Sequence, residues 1–323
     1  MHLGQVIRIN ELTNPARSMA AAIESFLSYC QSKNLSPNTS QYYRYRLEAF
    51  QRYLDAEAPG VTPETISTKT IRSFITDELQ KNSASTANHS VIALRVFFNY
   101  LVGDEYLASN PMTGVQKVKS GRRLVNTFSM DQVETLLSGC QRNFVGARDR
   151  AIIMVLFDCG LRVSELCGLT LDNTSLAEQT LLVVGKGDRD RLVSFGGATR
   201  QALMRYLDRR GQLDTGHVFV TSLAEPLTRF RAAKIIRARC AKANITGVRC
   251  SPHTLRHSFA VSYLRSGGDV FSLQKLLGHS DLTMTRHYCQ LSDTDALSRH
   301  RLYSPGDRLQ QATEAVGHRK RLR

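Results

Sequence analysis

Apolar residues recur at helical spacing along most of this chain, and one passage, QTLLVVGKGDRDRLVSF (179–195), breaks the rhythm. There Leu181–Val184 and Leu192–Phe195 read as two short strands joined through a Gly-Lys-Gly turn. Helices with a single hairpin give a mainly α fold with a small antiparallel β-sheet.

The helical segments fall into two groups. Residues 1–17 read as an extended N-terminal lead-in. From Ser18 onward Ile23, Phe26, Leu27 and Cys30 form an apolar face. Ser36-Pro37 is a helix-start signal, and Tyr43, Leu47, Phe50 and Leu54 follow at helical spacing, with Arg44, Arg46 and Arg52 supplying charge. A third helix is expected over Thr68–Leu79 and a fourth over Ser85–Val102, the latter with Ile92, Val96, Phe97 and Tyr100 inward. Residues 18–107 are therefore a small helical domain. Residues 108–127 read as a basic linker: ASNPMTGVQKVKSGRR holds a helix-breaking Asn-Pro, two glycines and four basic residues, Lys117 and Lys119 among them. A segment running along a phosphate backbone has this composition, and so has a solvated linker. The second domain spans 128–305. It opens on a helix at Ser129, continues into a nearly all-apolar helix over Ala151–Phe157 that stops at Gly160, and returns to helices from Ala198 onward. A basic tail, residues 306–323, closes the chain.

Lys and Arg total 43 against 28 Asp and Glu, a net charge of +15, which favours a polyanion as partner, nucleic acid before membrane surface. No apolar run can span a bilayer, and MHLGQVIRINELTNPARSM lacks a secretory signal core, so a cytoplasmic protein without a membrane partner is expected. The seven cysteines contain no C-x-x-C pair and read as reduced thiols, neither a disulfide framework nor a zinc site.

Several residues could carry chemistry. Arg162 follows the buried helix, three residues before Glu165; the pair either pins a helix start or presents a cation to an anion. Lys186 sits on the hairpin turn between Gly185 and Gly187, a solvated turn lysine or a mobile cation reaching into a site. In HTLRH, His253 and His257 are spaced i, i+4, but Thr254 stands where a zinc protease needs Glu, and Arg256 would repel a metal. A phosphate reader fits better, since the guanidinium offers phosphate oxygens a planar fork of donors. His279 follows Gly278, which ends a helix, and Tyr288 lies nine residues on, where a tyrosine either packs or attacks a phosphodiester.

Taken in order, GLRVSEL, GKGDRDRLV, HTLRHSFA and LLGHSDLTMTRHY resemble the tyrosine recombinase (integrase) family, which includes phage integrases and Xer recombinases. The resemblance covers about residues 126–303; SKNLSPNTSQYYRYRLEAFQRYL resembles, more weakly, that family's helical SAM-like core-binding domain. It implies Tyr288 as nucleophile, Arg162 and Arg256 as phosphate clamps, Lys186 as general acid, His253 and His279 completing the pocket, and Glu165 in support. It further implies Arg44, Arg46, Lys117 and Lys119 as DNA contacts, no metal and no cofactor. The partner implied is double-stranded DNA carrying recombination sites, bound by a homo-tetramer or a hetero-tetramer with a related recombinase, with an accessory DNA-binding protein as a further candidate. Cutting and rejoining would run through a 3′-phosphotyrosyl intermediate and a Holliday junction, for integration, excision or resolution, with residues 293–303 as a helix docking on a neighbouring protomer. A non-catalytic DNA-binding regulator, and a type IB topoisomerase or telomere resolvase, are the rival readings.

Overall fold

The computed structural model describes residues 18–119, 126–185, 190–278 and 304. The chain divides into two compact units that part between Arg123 and Leu124.

The first unit holds four helices: α1 (Met19–Ser32), α2 (Pro37–Glu57), α3 (Thr68–Lys81) and α4 (Ala84–Gly103). Each begins the same way. Ser18, Ser36, Ser67 and Ser83 accept from the backbone N–H of Ala21, Thr39, Thr70 and Thr86, satisfying a donor that the first turn leaves open. The core is aromatic: Phe26 meets Phe97 edge-on at 5.6 Å, and Phe50 meets Phe74 at 5.0 Å. The expected faces of α1 and α2 are the buried ones, but the phase of α4 is not. Val91, Leu94, Phe97, Phe98 and Leu101 are buried, while Val96 is 36% exposed. Apolar residues nearly encircle α4, so its sequence allows more than one inward stripe, and packing against α1, α2 and α3 selects this one.

Part of the expected linker belongs to this unit. Met112 and Val115 are buried in its core, and Asn88 of α4 holds Val118 from both sides, accepting from its N–H at 2.8 Å and donating to its carbonyl at 2.9 Å. The Arg95 guanidinium donates to the Val115 carbonyl at 2.6 Å. The Asn-Pro and Gly signals break a helix without detaching the chain. Lys117 and Lys119 remain exposed.

The second unit is built around α6 (Phe144–Cys159), whose Ala151, Ile152, Ile153, Val155, Leu156 and Cys159 are fully buried. Before it comes α5 (Met130–Ser138), capped by Ser129 with Gln132 returning to the Ser129 N–H at 3.0 Å. After it come α7 (Val163–Gly168), three strands, and α8 (Gly197–Arg210), which packs along α6. The hairpin is β2 (Thr180–Val183) with β3 (Arg191–Ser194); a two-residue strand not expected from the sequence, β1 (Thr174–Ser175), extends it to an antiparallel sheet in the order β1-β2-β3. Leu181 pairs with Val193 on the buried face, while Leu182 and Leu192 pair on the exposed one. Helices do not follow without interruption: residues 211–228 are irregular, fixed by bridges Thr170↔His217 and Val220↔Pro226 and by Arg210, which donates to the carbonyls of Thr215 and His217. Then come α9 (Arg229–Lys242), α10 (Pro252–Arg265) and α11 (Val270–Leu277). The tail and the candidate docking helix at 293–303 lie outside the described residues. Among the described residues, no helix is long and apolar enough to cross a membrane.

Candidate active site

The end of α6 starts the site. Gly160 closes that helix with φ +61°, a left-handed conformation in which a side chain would strain the backbone. Two residues later the chain enters α7 with Arg162 as its N-cap. Glu165 reaches back: Oε2 accepts from the Arg162 N–H at 2.7 Å, and Oε1 accepts from Arg162 Nη1 at 2.8 Å. These bonds carry the helix-start role of the pair. Glu165 pins the helix start, and Arg162, its side chain 44% exposed, presents a guanidinium outward.

Arg256 is 2% exposed, inside α10. Its Nη1 donates to the Gly160 carbonyl at 2.7 Å and its Nη2 to the Leu277 carbonyl at 2.8 Å, and it lies 3.8 Å from Glu165. Arg162 Nη2 donates to the Gly278 carbonyl at 3.1 Å. Sequence reasoning missed a third arginine. Arg191 of β3 clamps both oxygens of Glu165, at 3.0 and 2.8 Å, and donates from Nε to the Leu276 carbonyl at 2.8 Å. Three successive carbonyls at the end of α11, those of Leu276, Leu277 and Gly278, thus accept from Arg191, Arg256 and Arg162 in turn. A helix C-terminus leaves its last carbonyls without intrahelical donors and carries partial negative charge, so it suits cations. Burial pushes the Glu165 carboxyl up, but the bonds from Arg191 and from the Arg162 backbone outweigh it and hold the carboxyl below its ordinary range.

His253 stands in the first turn of α10, which Ser251 caps by accepting from the Thr254 N–H. Its ring meets His257 edge-on at 4.4 Å, so His257 packs against its neighbour. Partial burial, then the positive fields of Arg256, Arg249 and Arg162, hold the His253 pKa below the ordinary imidazole value. A neutral imidazole can take a proton at neutral pH. Arg162, Glu165, Arg191, Lys275 and Gly278 line one cavity of about 790 Å³, which reaches Gly185 and Asp190 at the base of the hairpin turn. Lys186, His279 and Tyr288 lie outside the described residues, although Gly185 and Gly278, their chain neighbours in two cases, belong to this lining.

Of the expected DNA contacts in the first unit, Arg44 is held by Glu24 through two bonds, at 2.5 and 3.0 Å. The Arg46 side chain is 17% exposed and turns toward the buried Glu78, 4.0 Å away. Among the described residues, no carboxylate pairs in this way with Lys117 or Lys119.

The profile of the phage integrase family matches residues 126–295, more than half of the chain and all of the residues just described as one site. The chain belongs to the phage integrase family. It is a site-specific tyrosine recombinase, and an enzyme, which leaves the regulator and topoisomerase readings without support. The recombinase also matches the family's N-terminal SAM-like domain over residues 23–105. It is 32% identical over 291 residues to the tyrosine recombinase XerD of Shewanella oneidensis, covering 88% of this chain and 96% of the relative. Its fold is similar to that of the Tn1549 transposon integrase in complex with transposon right end DNA, at 20% identity and a TM-score of 0.73, with 89% and 100% of the two chains covered. A lambda integrase tetramer bound to a Holliday junction is similar at 19% identity and a TM-score of 0.69, over 88% and 83% of the chains.

Proposed function

We propose that this recombinase cuts duplex DNA with Tyr288 and rejoins it to a second site. The phenol oxygen of Tyr288 attacks the scissile phosphorus. A bond to Oη forms, the bond to the 5′-oxygen breaks, and a 3′-phosphotyrosine and a free 5′-hydroxyl result. Lys186 gives the proton that the departing 5′-oxygen needs, and neutral His253 is suited to take the proton Tyr288 releases. Arg162 and Arg256 hold the non-bridging oxygens and the charge that builds on them, His279 completes the pocket, and Glu165 supports it. One phosphoester replaces another, so resealing needs no ATP, and the arginines supply the cationic charge that metal ions supply in other phosphoryl transfers.

The observation that carries this reading is the pair Arg162–Arg256: Arg256 donates to two helix-end carbonyls, Arg162 to a third and to Glu165, and the single carboxylate of Glu165 is shared among three guanidiniums, Arg191 included, which leaves the cluster positive. The names of the relatives support DNA as substrate and a tetramer acting through a Holliday junction. The helical domain from 18 to 107 and the catalytic domain from 128 to 305 would grip the duplex together, in the cytoplasm, with Lys117, Lys119, Arg44 and Arg46 on phosphates. Arg44 and Arg46 would have to exchange a carboxylate for a phosphate to do so.

The test is a denaturing gel of protein incubated with nicked site DNA. Wild type should yield a covalent adduct, and Tyr288→Phe should bind the same DNA in a mobility-shift assay and yield none. An adduct that persists in Tyr288→Phe refutes the assignment.

A further inference from the structure

Arg191 lines this cavity, and the reaction above does not use it. It lies on the inward face of β3 beside Val193, its side chain 13% exposed, and Glu165, which it clamps, is 7% exposed. A buried carboxylate needs a partner with complementary geometry, and a guanidinium meeting both oxygens is the strongest one available. The same side chain bonds Leu276, so Arg191 joins three elements that are far apart in sequence: β3, the start of α7 and the end of α11.

The charges on Glu165 come from every side. Arg162 faces it from α7, Arg191 from β3 and Arg256 from α10; Lys275 of α11 and Asp190 border the same cavity. One negative charge therefore meets three guanidiniums. With Arg191 in place, the carboxylate is satisfied by the arginine that lies deeper than Arg162. Without it, Arg162 and Arg256 are the partners left to Glu165 among the described residues, and a phosphate entering the cavity must compete with a carboxylate for both.

We propose that Arg191 is a positioning residue, whose clamp on Glu165 and bond to Leu276 keep Arg162 and Arg256 set for the scissile phosphate. This rests on the reading that those two arginines bind that phosphate. Arg191 acts through Glu165 and touches no DNA.

The experiment measures single-turnover adduct formation on nicked site DNA, across pH, for wild type, Arg191→Ala, Glu165→Gln and the double variant. Arg191→Ala should bind DNA within about twofold of wild type and cleave on the order of 100-fold more slowly, the scale of a misplaced reacting group. Because Arg191 is the leading influence lowering the Glu165 pKa, its loss should move the acid-side fall in cleavage to higher pH. The same change made in Glu165→Gln should produce no such move, and the double variant should be no slower than the slower single one, as for two residues acting as one unit. A merely structural role would not shift a pH limb. Additive losses, a tenfold loss of DNA affinity, or an unshifted limb in Arg191→Ala each overturn the proposal. If Arg191→Ala does not fold, Arg191→Lys serves: it keeps the charge but loses the fork, and should cleave about tenfold more slowly with the wild-type limb; a wild-type rate overturns the proposal. A persistent adduct in Tyr288→Phe instead overturns the reading beneath it, leaving a wild-type rate in Arg191→Lys or Arg191→Ala as the distinct sign that Arg191 alone was misjudged.

Discussion

Replacing Gly160 by Ala tests the ground on which Arg256 stands. A Cβ built on Gly160 lies 2.2 Å from Cδ1 and 2.7 Å from Cε1 of Phe259, and 3.0 Å from Cδ2 of Leu277. Neither neighbour can move into water, since Phe259 is 8% exposed and Leu277 is fully buried. Holding an L residue left-handed costs about 1–2 kcal/mol. Forcing a methyl into a filled core costs about 1–3 kcal/mol more. The sum, about 2–5 kcal/mol, is a large part of the roughly 5–15 kcal/mol that holds an ordinary domain together. In a unit of this size each kcal/mol moves the Tm by about 2–4 °C, so a drop of roughly 4–20 °C is expected. The control is Gly197→Ala at the first residue of α8, where nothing lies within 4 Å of the added Cβ and φ is ordinary; it should be neutral or slightly stabilising. Thermal and urea unfolding followed by circular dichroism read both variants. Because the Gly160 carbonyl accepts from Arg256 at 2.7 Å, Gly160→Ala should also cleave more slowly at temperatures where it is folded. Unfolding within about 1 kcal/mol of wild type, together with normal cleavage, would refute the reasoning.

Four further outcomes are expected. Val91→Ala should cost about 2 kcal/mol in urea unfolding and Val96→Ala less than about 0.5, which reads the phase of α4 directly. Asn88→Ala removes both bonds to Val118 and should destabilise the first unit by about 1–3 kcal/mol and speed proteolysis after Val118. Lys186→Ala should lose cleavage of ordinary DNA and regain much of it when sulfur replaces the bridging 5′-oxygen, since a thiolate leaves without a proton; equal rescue of Arg162→Ala would remove Lys186 from the role of general acid. The folded pKa of His253 lies below its ordinary 6.5, so as pH falls the unfolded chain binds that proton first. Stability should therefore decline from about pH 6.5 down to the folded pKa, and denaturant midpoints of His253→Gln should decline less over that window.

Much of this was legible in the sequence because the signals were local. A serine before each helix of the first unit, Gly160 after α6, and Glu165 three residues beyond Arg162 are read within a few positions. What escaped depends on partners far along the chain. Arg191 looked like one more charge in GDRDRLV, although its strand places it on the same face as Val193, and an arginine on an inward face requires a distant anion. The hold of Asn88 on Val118 spans 30 residues and is invisible in a stretch that reads as loop. Arg44 and Arg46 looked available for phosphate because Glu24 and Glu78, which answer them, lie on other helices, while Glu48, 3.8 Å from Arg44, stands one turn along α2. The inward stripe of α4 was ambiguous because its neighbours, not its own residues, choose it.

The run of carbonyls at 276–278 also sets a schedule. Arg162 waits for Gly278, 116 residues downstream, and Arg256 must bridge back 96 residues to Gly160. At the usual pace of synthesis, about 5–20 residues per second, a newly made Arg162 spends roughly 6–23 s before its last acceptor exists. During that interval α7 and the hairpin can form and Arg162 and Arg191 can meet Glu165, but the α11 carbonyls that also fix these cations do not yet exist. A nascent chain that has not yet reached Gly278 thus lacks the acceptors that complete the setting of its arginines.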